Sequence, residues 1–141
     1  MRHRTPGFVL AATLLALGAC ANTELRSRET LLDETLRSYA ATVRWGDMER
    51  AQAFIEPTQL ARNPPSAIDL ARFRQVQVSG YEAQAPIPVS AVEVRQTVQI
   101  ELVNVNTQAA RSVVDHQVWK FDEAAKRWWL VSGLPDIARK D

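Results

Sequence analysis

The chain has 141 residues, with 17 Lys and Arg against 16 Asp and Glu, and a formal net charge of +1. A length of this order fits one domain with one real core, and so even a balance leaves no electrostatic footprint for nucleic acid. A single cysteine excludes an intrachain disulfide and a metal site built from cysteines.

Arg2 and Arg4 open the chain, and an apolar run from Phe8 to Leu17 follows. That run falls well short of the roughly 20 apolar residues that span a bilayer core as a helix. A basic head, a short apolar core and small residues ahead of a cut make a cleaved secretory signal peptide, here residues 1–19. Leu17-Gly18-Ala19-Cys20 resembles the bacterial lipobox. In lipoproteins of that kind the cysteine sulfur receives a diacylglycerol, the peptidase cuts before the cysteine (here between Ala19 and Cys20), and the new amino group is commonly acylated. The resemblance covers only the first twenty residues, and an ordinary signal peptide with an incidental cysteine is the alternative. Each buried lipid methylene contributes roughly 0.8 kcal/mol, so two or more acyl chains make a stable anchor and Cys20 a membrane tether. In the sorting logic of these lipoproteins an Asp directly after the cysteine favours the inner membrane. Ala21 and Asn22 follow here, which implies the outer membrane, facing the periplasm.

Processing leaves residues 20–141: a short lipidated tether over 20–23, one domain over 24–136 and a charged tail over 137–141. Arg2 and Arg4 leave with the signal, so the mature charge is about −1. Residues Thr23 to Trp45 carry the strongest helical signal, with Leu25, Leu32, Leu36, Tyr39 and Val43 on one stripe that Ala40 widens. A coiled-coil strand is the weaker reading, because the stripe stops at Gly46. In "RWGDMERAQAFIEP" the glycine offers a left-handed cap and Asp47 a restart. Met48, Ala51, Phe54 and Ile55 form the second helix's buried face, and Pro57 closes it. After "ARNPPS", Ser66 and Asp69 resemble a capping box that opens a third helix through about Arg72.

The rest of the chain reads as sheet. A first strand runs from about Arg74 to Ala83, broken or bulged near Gly80, and Pro86 and Pro88 mark an edge or a connection. From Val92 to Leu102 the alternation is clean, with Val92, Val94, Val98, Ile100 and Leu102 on one side and Glu93, Arg95, Thr97, Gln99 and Glu101 on the other. "NVNTQ" from Asn104 turns the chain into a strand from Arg111 to Phe121, a turn over Asp122 to Lys126 follows, and Arg127 to Ser132 is the last strand. The expectation is an α+β layer in which N-terminal helices pack on a curved antiparallel meander of about four strands. Trp128 and Trp129 point to opposite faces, while Trp119 and Phe121 share one. Either one of the adjacent tryptophans packs under the long helix and the other covers the outer face, or Trp119, Trp128 and Trp129 serve as binding residues.

This order of elements, with the diffuse motifs "GDMERAQAF" and "KRWWLVSG", resembles the nuclear transport factor two-like superfamily, which includes ketosteroid isomerase and SnoaL-like proteins and shares the cystatin-like superfold. The resemblance spans about Thr23 to Asp136. It implies helices across a bent sheet, forming a cone whose open end holds a small molecule in some members and is filled in others. Some members are isomerases or cyclases and many are binding or assembly modules, and the fold alone does not choose between them.

Loss of the signal removes His3 and leaves His116 as the one histidine. His116 and its neighbour Asp115 are the candidate catalytic residues, yet on a regular strand they face opposite sides and form no dyad. A proton-transfer site needs a carboxylate opposite a Tyr or Asp donor, and Tyr39 and Tyr81 are the only tyrosines. No metal-ligand cluster, nucleophile elbow or phosphate loop appears, so neither metal nor cofactor is expected. The function expected is a non-enzymatic binding or assembly module for another envelope component, such as an accessory subunit of an assembly, secretion or transport machine, with an envelope protein as partner. The alternative is a small-molecule binding protein or an isomerase-like or cyclase-like enzyme using the cone. Replacing Cys20 with Ser should move the protein from the membrane fraction to the soluble periplasmic fraction, and its persistence in the membrane would count against the anchor.

Overall fold

An amphipathic stripe such as Leu32, Leu36, Tyr39 and Val43 needs an apolar surface to lie on, and the inner face of a sheet supplies it. A computed structural model describes residues 13–138, with side chains from residue 22 onward. Helix α1 (Thr13–Arg44) has 32 residues and no break. It begins ahead of the expected Thr23, so the expected tether over 20–23 continues its backbone. The run Leu14 to Leu17 contains strong helix formers, and the lone Gly18 does not interrupt it. The side chains of Ala19 and Cys20, the start of the signal peptide and the last residues of the tail lie outside the described residues. Among the described residues no helix is long and apolar enough to cross a membrane.

Gly46, at φ +71, stops α1 in the left-handed conformation that glycine favours. Asp47 then caps α2 (Met48–Ala51) by accepting from the Arg50 amide at 3.0 Å, and a 3-10 turn over Gln52–Phe54 follows. Pro57 does not close this helix as expected but opens the next one, α3 (Pro57–Arg62). The reason is the chain between them. Ile55 is extended and bridges to Leu130, the Glu56 amide donates to the Leu130 carbonyl at 3.0 Å, and the Glu56 carboxylate caps the Thr58 and Gln59 amides. Proline at a first helical position loses no hydrogen bond. Ser66 and Asp69 form the expected capping box at the start of α4 (Ala67–Phe73).

Five strands follow: β1 (Val76–Ala83), β2 (Ile87–Ser90), β3 (Glu93–Asn104), β4 (Ala110–Asp122) and β5 (Arg127–Leu130). The order is β1-β3-β4-β5, all neighbours antiparallel, and β2 also pairs with β3. The expected four-stranded meander is therefore corrected in one respect. β1 and β2 share one edge of β3, because Pro86 and Pro88 permit only a short edge segment there. The register of β1 slips between Val78 and Gly80, where a Cβ on Gly80 would meet Glu101 Cγ at 3.2 Å. Asn104 and Asp122 each build a turn, their Oδ1 atoms accepting from Asn106 and Thr107 and from Ala124 and Ala125. The result is α+β, with helices packed on a curled antiparallel half-barrel.

The core lies between α1 and the concave face of the sheet. Tyr39 and Val43 from α1 meet Val98, Trp119 and Leu130 from the strands, all with no exposed surface. Leu130 joins the short helical segments to the sheet through both its backbone and its side chain. Leu130→Ala should destabilise the fold by about 2–5 kcal/mol, the usual range for a fully buried leucine, as a lowered midpoint in urea with an unchanged slope.

Candidate functional site

Strict alternation on β4 turns Val113, Asp115, Gln117, Trp119 and Phe121 inward. Two of these five are polar, and both are buried. A buried polar group must be hydrogen-bonded or it costs stability, and here Gln117 does most of the connecting. Its Nε2 donates to Asp115 Oδ2 at 2.8 Å and to the Tyr81 hydroxyl at 3.1 Å, while its Oε1 accepts from Trp119 Nε1 at 3.1 Å. Gln96 stands opposite Gln117 in register and donates to the Gln84 carbonyl at 2.9 Å. The polar row therefore crosses from the β1 edge to the middle of the sheet.

Tyr39 closes this row from the helix side. Its ring meets Trp119 edge to face at 5.2 Å and Phe54 at 5.4 Å. Its hydroxyl is buried without a hydrogen-bond partner. Burial first, then the Asp115 charge and Tyr81, raise the Tyr39 phenol well above its usual range. Tyr81 is pushed up to about 12 by burial, against the lowering effect of the Gln117 hydrogen bond and with a further push from Asp115. Asp115 is pushed up to about 6 by burial, although the Gln117 hydrogen bond and the His116 charge oppose that rise. The arrangement is a carboxyl group that titrates near neutrality beside two neutral phenols. Chemically it could exchange a proton with a bound molecule, but Asp115 is only 8% exposed and the Tyr39 and Trp119 rings occupy the adjacent space.

His116 stands on the outer face, exposed, with Nδ1 3.4 Å from Thr97 Oγ1. It is thus separated from Asp115 by the sheet itself. The three tryptophans divide in the same way. Trp119 and Trp128 are closed off from solvent because register turns them toward the helices, and Trp128 Nε1 donates to the Arg28 carbonyl of α1 at 3.0 Å. Both of these expected binding residues therefore lie in the core. Trp129 lies on the other face, its indole NH 3.3 Å from Asp122 Oδ2 and its ring under the Arg127 guanidinium at 3.7 Å. Among the described residues no group of three or more His, Cys, Asp or Glu side chains converges on a metal position.

Sequence reasoning missed Gln117 and Gln96, although the alternation that placed Trp119 inward places both of them inward as well. It also missed Trp45, read only as a helix end, which is 87% exposed. No family model, no curated protein and no solved structure matches this chain.

The raised value of Asp115 has a definite sign. Between its ordinary 3.8 and about 6 the folded protein holds a proton that the unfolded chain has lost, so stability falls as pH rises through that window. The full loss is on the order of 2–3 kcal/mol. Glu56, Asp69 and Asp122 act in the opposite sense, at lower pH. Hydrogen bonds, chiefly from the Thr58 amide, the Ser66 side chain and the Ala125 amide respectively, hold their carboxyl groups below the usual range. Asp115→Asn should remove the decline between pH 4 and 6, as seen in the difference between wild-type and variant urea midpoints across pH.

Proposed function

We propose that this protein is an outer-membrane lipoprotein, anchored through Cys20 and facing the periplasm. Its α+β domain, of nuclear transport factor two-like form with a filled cone, acts as a non-enzymatic binding module for another envelope protein, in an assembly, transport or secretion machine. The observation that carries the non-enzymatic part is the fully buried Trp119 packed on Tyr39. Where a ligand-binding or catalytic member of such a superfamily would need open space, two aromatic rings stand. The hydrogen-bonding capacity of the inner row is turned inward too, since Gln117 satisfies Asp115, Tyr81 and Trp119 together.

A second reading has its own observation. Asp115 beside Tyr81 and Tyr39 is the carboxyl-and-phenol pairing that an isomerase-like reaction or a small-molecule carrier would use. It requires the Tyr39 and Trp119 rings to move apart and admit a molecule.

Cross-linking of the intact protein in its own cell envelope, followed by mass spectrometry, separates the two readings. The module reading expects one envelope protein recovered reproducibly, at equal yield from wild type and Asp115→Asn. A retained small molecule, lost in Asp115→Asn, with no protein attached, would overturn it in favour of the carrier or enzyme.

A further inference from the structure

We infer that the groove between the C-terminal half of α1 and the outer edge of β1 docks an acidic, extended segment of a partner protein, which adds to β1 as a further strand. The inference rests on the binding-module reading and names the partner chemistry. The groove has a volume of about 950 Å³ and is lined by Val76, Gln77, Val78 and Ser79 in succession. Successive strand residues alternate between faces, so one groove touches all four only by running along the backbone edge.

That edge is open. Among the described residues β1 pairs with β3 on one side and with no strand on the other. The Val105 amide donates to the Gln75 carbonyl at 2.9 Å, and Gln77 sits opposite Val103 two positions along. By the alternation of an antiparallel ladder, the backbone groups of Gln77 face β3 and those of Val76 and Val78 face the groove. Beside this edge α1 contributes Ala40 and Ala41 to the groove wall, small side chains that leave the flank of the helix low where a strand would lie alongside β1. Addition of a strand to an exposed edge takes its affinity from such main-chain groups and its specificity from the flanking side chains.

The flanking side chains select for negative charge. Arg37, Arg44 and Arg74 line the groove and no carboxylate does. Arg44 has no ion-pair partner among the described residues. Arg74 reaches Glu49 at 3.1 Å and Arg37 reaches Asp33 at 3.7 Å, both as highly exposed pairs, which hold weakly and exchange readily. Trp45 stands at the same groove, 87% exposed, and Trp and Arg are the residue types that dominate binding energy at interfaces.

A second copy of this chain fits poorly, because two-fold pairing through β1 would set arginine against arginine. A membrane surface fits poorly as well. At 1.5 Å per residue, α1 carries Arg37 about 25 Å and Arg44 about 36 Å along its axis from the position of Cys20, away from the proposed anchor.

The test uses the isotope-labelled, lipidated protein in detergent micelles, with a ten-residue peptide of alternating Val and Glu as the probe. Amide shifts at Val76 and Val78 and a shift of the Trp45 indole NH are expected with this peptide and not with its Val and Lys counterpart. Arg44→Glu should weaken the Val-Glu peptide about tenfold or more and admit the Val-Lys peptide. Binding that leaves β1 unshifted, or is indifferent to Arg44→Glu, overturns the inference, as does a Trp45 response to phosphatidylglycerol vesicles alone. In cells, a photo-cross-linking residue is placed at Trp45 and, separately, at Gln99 on the outer sheet face. A protein joined at Trp45 through an acidic segment supports the groove. Capture from Gln99 alone refutes the groove while leaving the module reading standing, and capture from neither removes both.

Discussion

The contact between Tyr39 and Trp119 organises this molecule. A curled sheet leaves a concavity that must be filled at the density of a protein interior, and one long helix with a narrow apolar stripe cannot fill it with aliphatic groups alone. The two rings meet at 5.2 Å and 80°, edge against face, the arrangement that aromatic quadrupoles favour. Phe54 reaches the same ring from the short helical segment. Tyr39 thus ties together the long helix, the turn after Asp47 and the centre of β4.

Filling a concavity with a tyrosine and a tryptophan brings polar atoms inside, and the inner row answers that need. Trp119 donates to Gln117, and Gln117 donates to Asp115 and Tyr81. One atom is left over, the Tyr39 hydroxyl, at the cost a buried unpaired group carries, about 1–3 kcal/mol. Asp115 is the other costly member, since burial raises its carboxyl group more than the Gln117 hydrogen bond and the His116 charge lower it. A network with one orphan donor and one carboxyl group titrating near neutrality is a weak point of the core.

Beyond this packed centre lie the edges of the sheet and its outer face. They differ in kind. The outer face carries alternating polar residues with local ion pairs, such as Glu93 with Arg95 and Lys120, which satisfy themselves. The β1 edge carries outward backbone groups, an exposed tryptophan and three arginines, of which Arg37 and Arg74 hold only highly exposed ion pairs. Natural sheets usually blunt such edges with charge, proline or a bulge. Here the proline protection falls on β2 and the bulge at Ser79, leaving the first half of β1 available beside α1.

Much of the architecture was legible because its signals are local. Ser66 and Asp69 predicted their capping box three residues apart, Gly46 its helix stop, Gly80 its bulge and Asn104 its turn, each from chemistry contained in a few neighbouring residues. Pro57 misled because the same residue closes or opens a helix according to whether the preceding residue is extended, and the partner that extends it, Leu130, is far along the chain. The strand period placed Asp115 and His116 on opposite faces, but not which face was inside, nor that Tyr81 and Tyr39 would arrive beside Asp115. The sequence by itself determined the long helix, the capped α4, the main strands with their alternation, several caps and turns, and the α+β class. Only the tertiary structure decided that Tyr39 and Trp119 meet in the concavity and that, among the described residues, β1 keeps an unpaired edge. Those two properties depend on the packing of side chains distant in sequence and on which strand goes unpaired, and no local pattern encodes either.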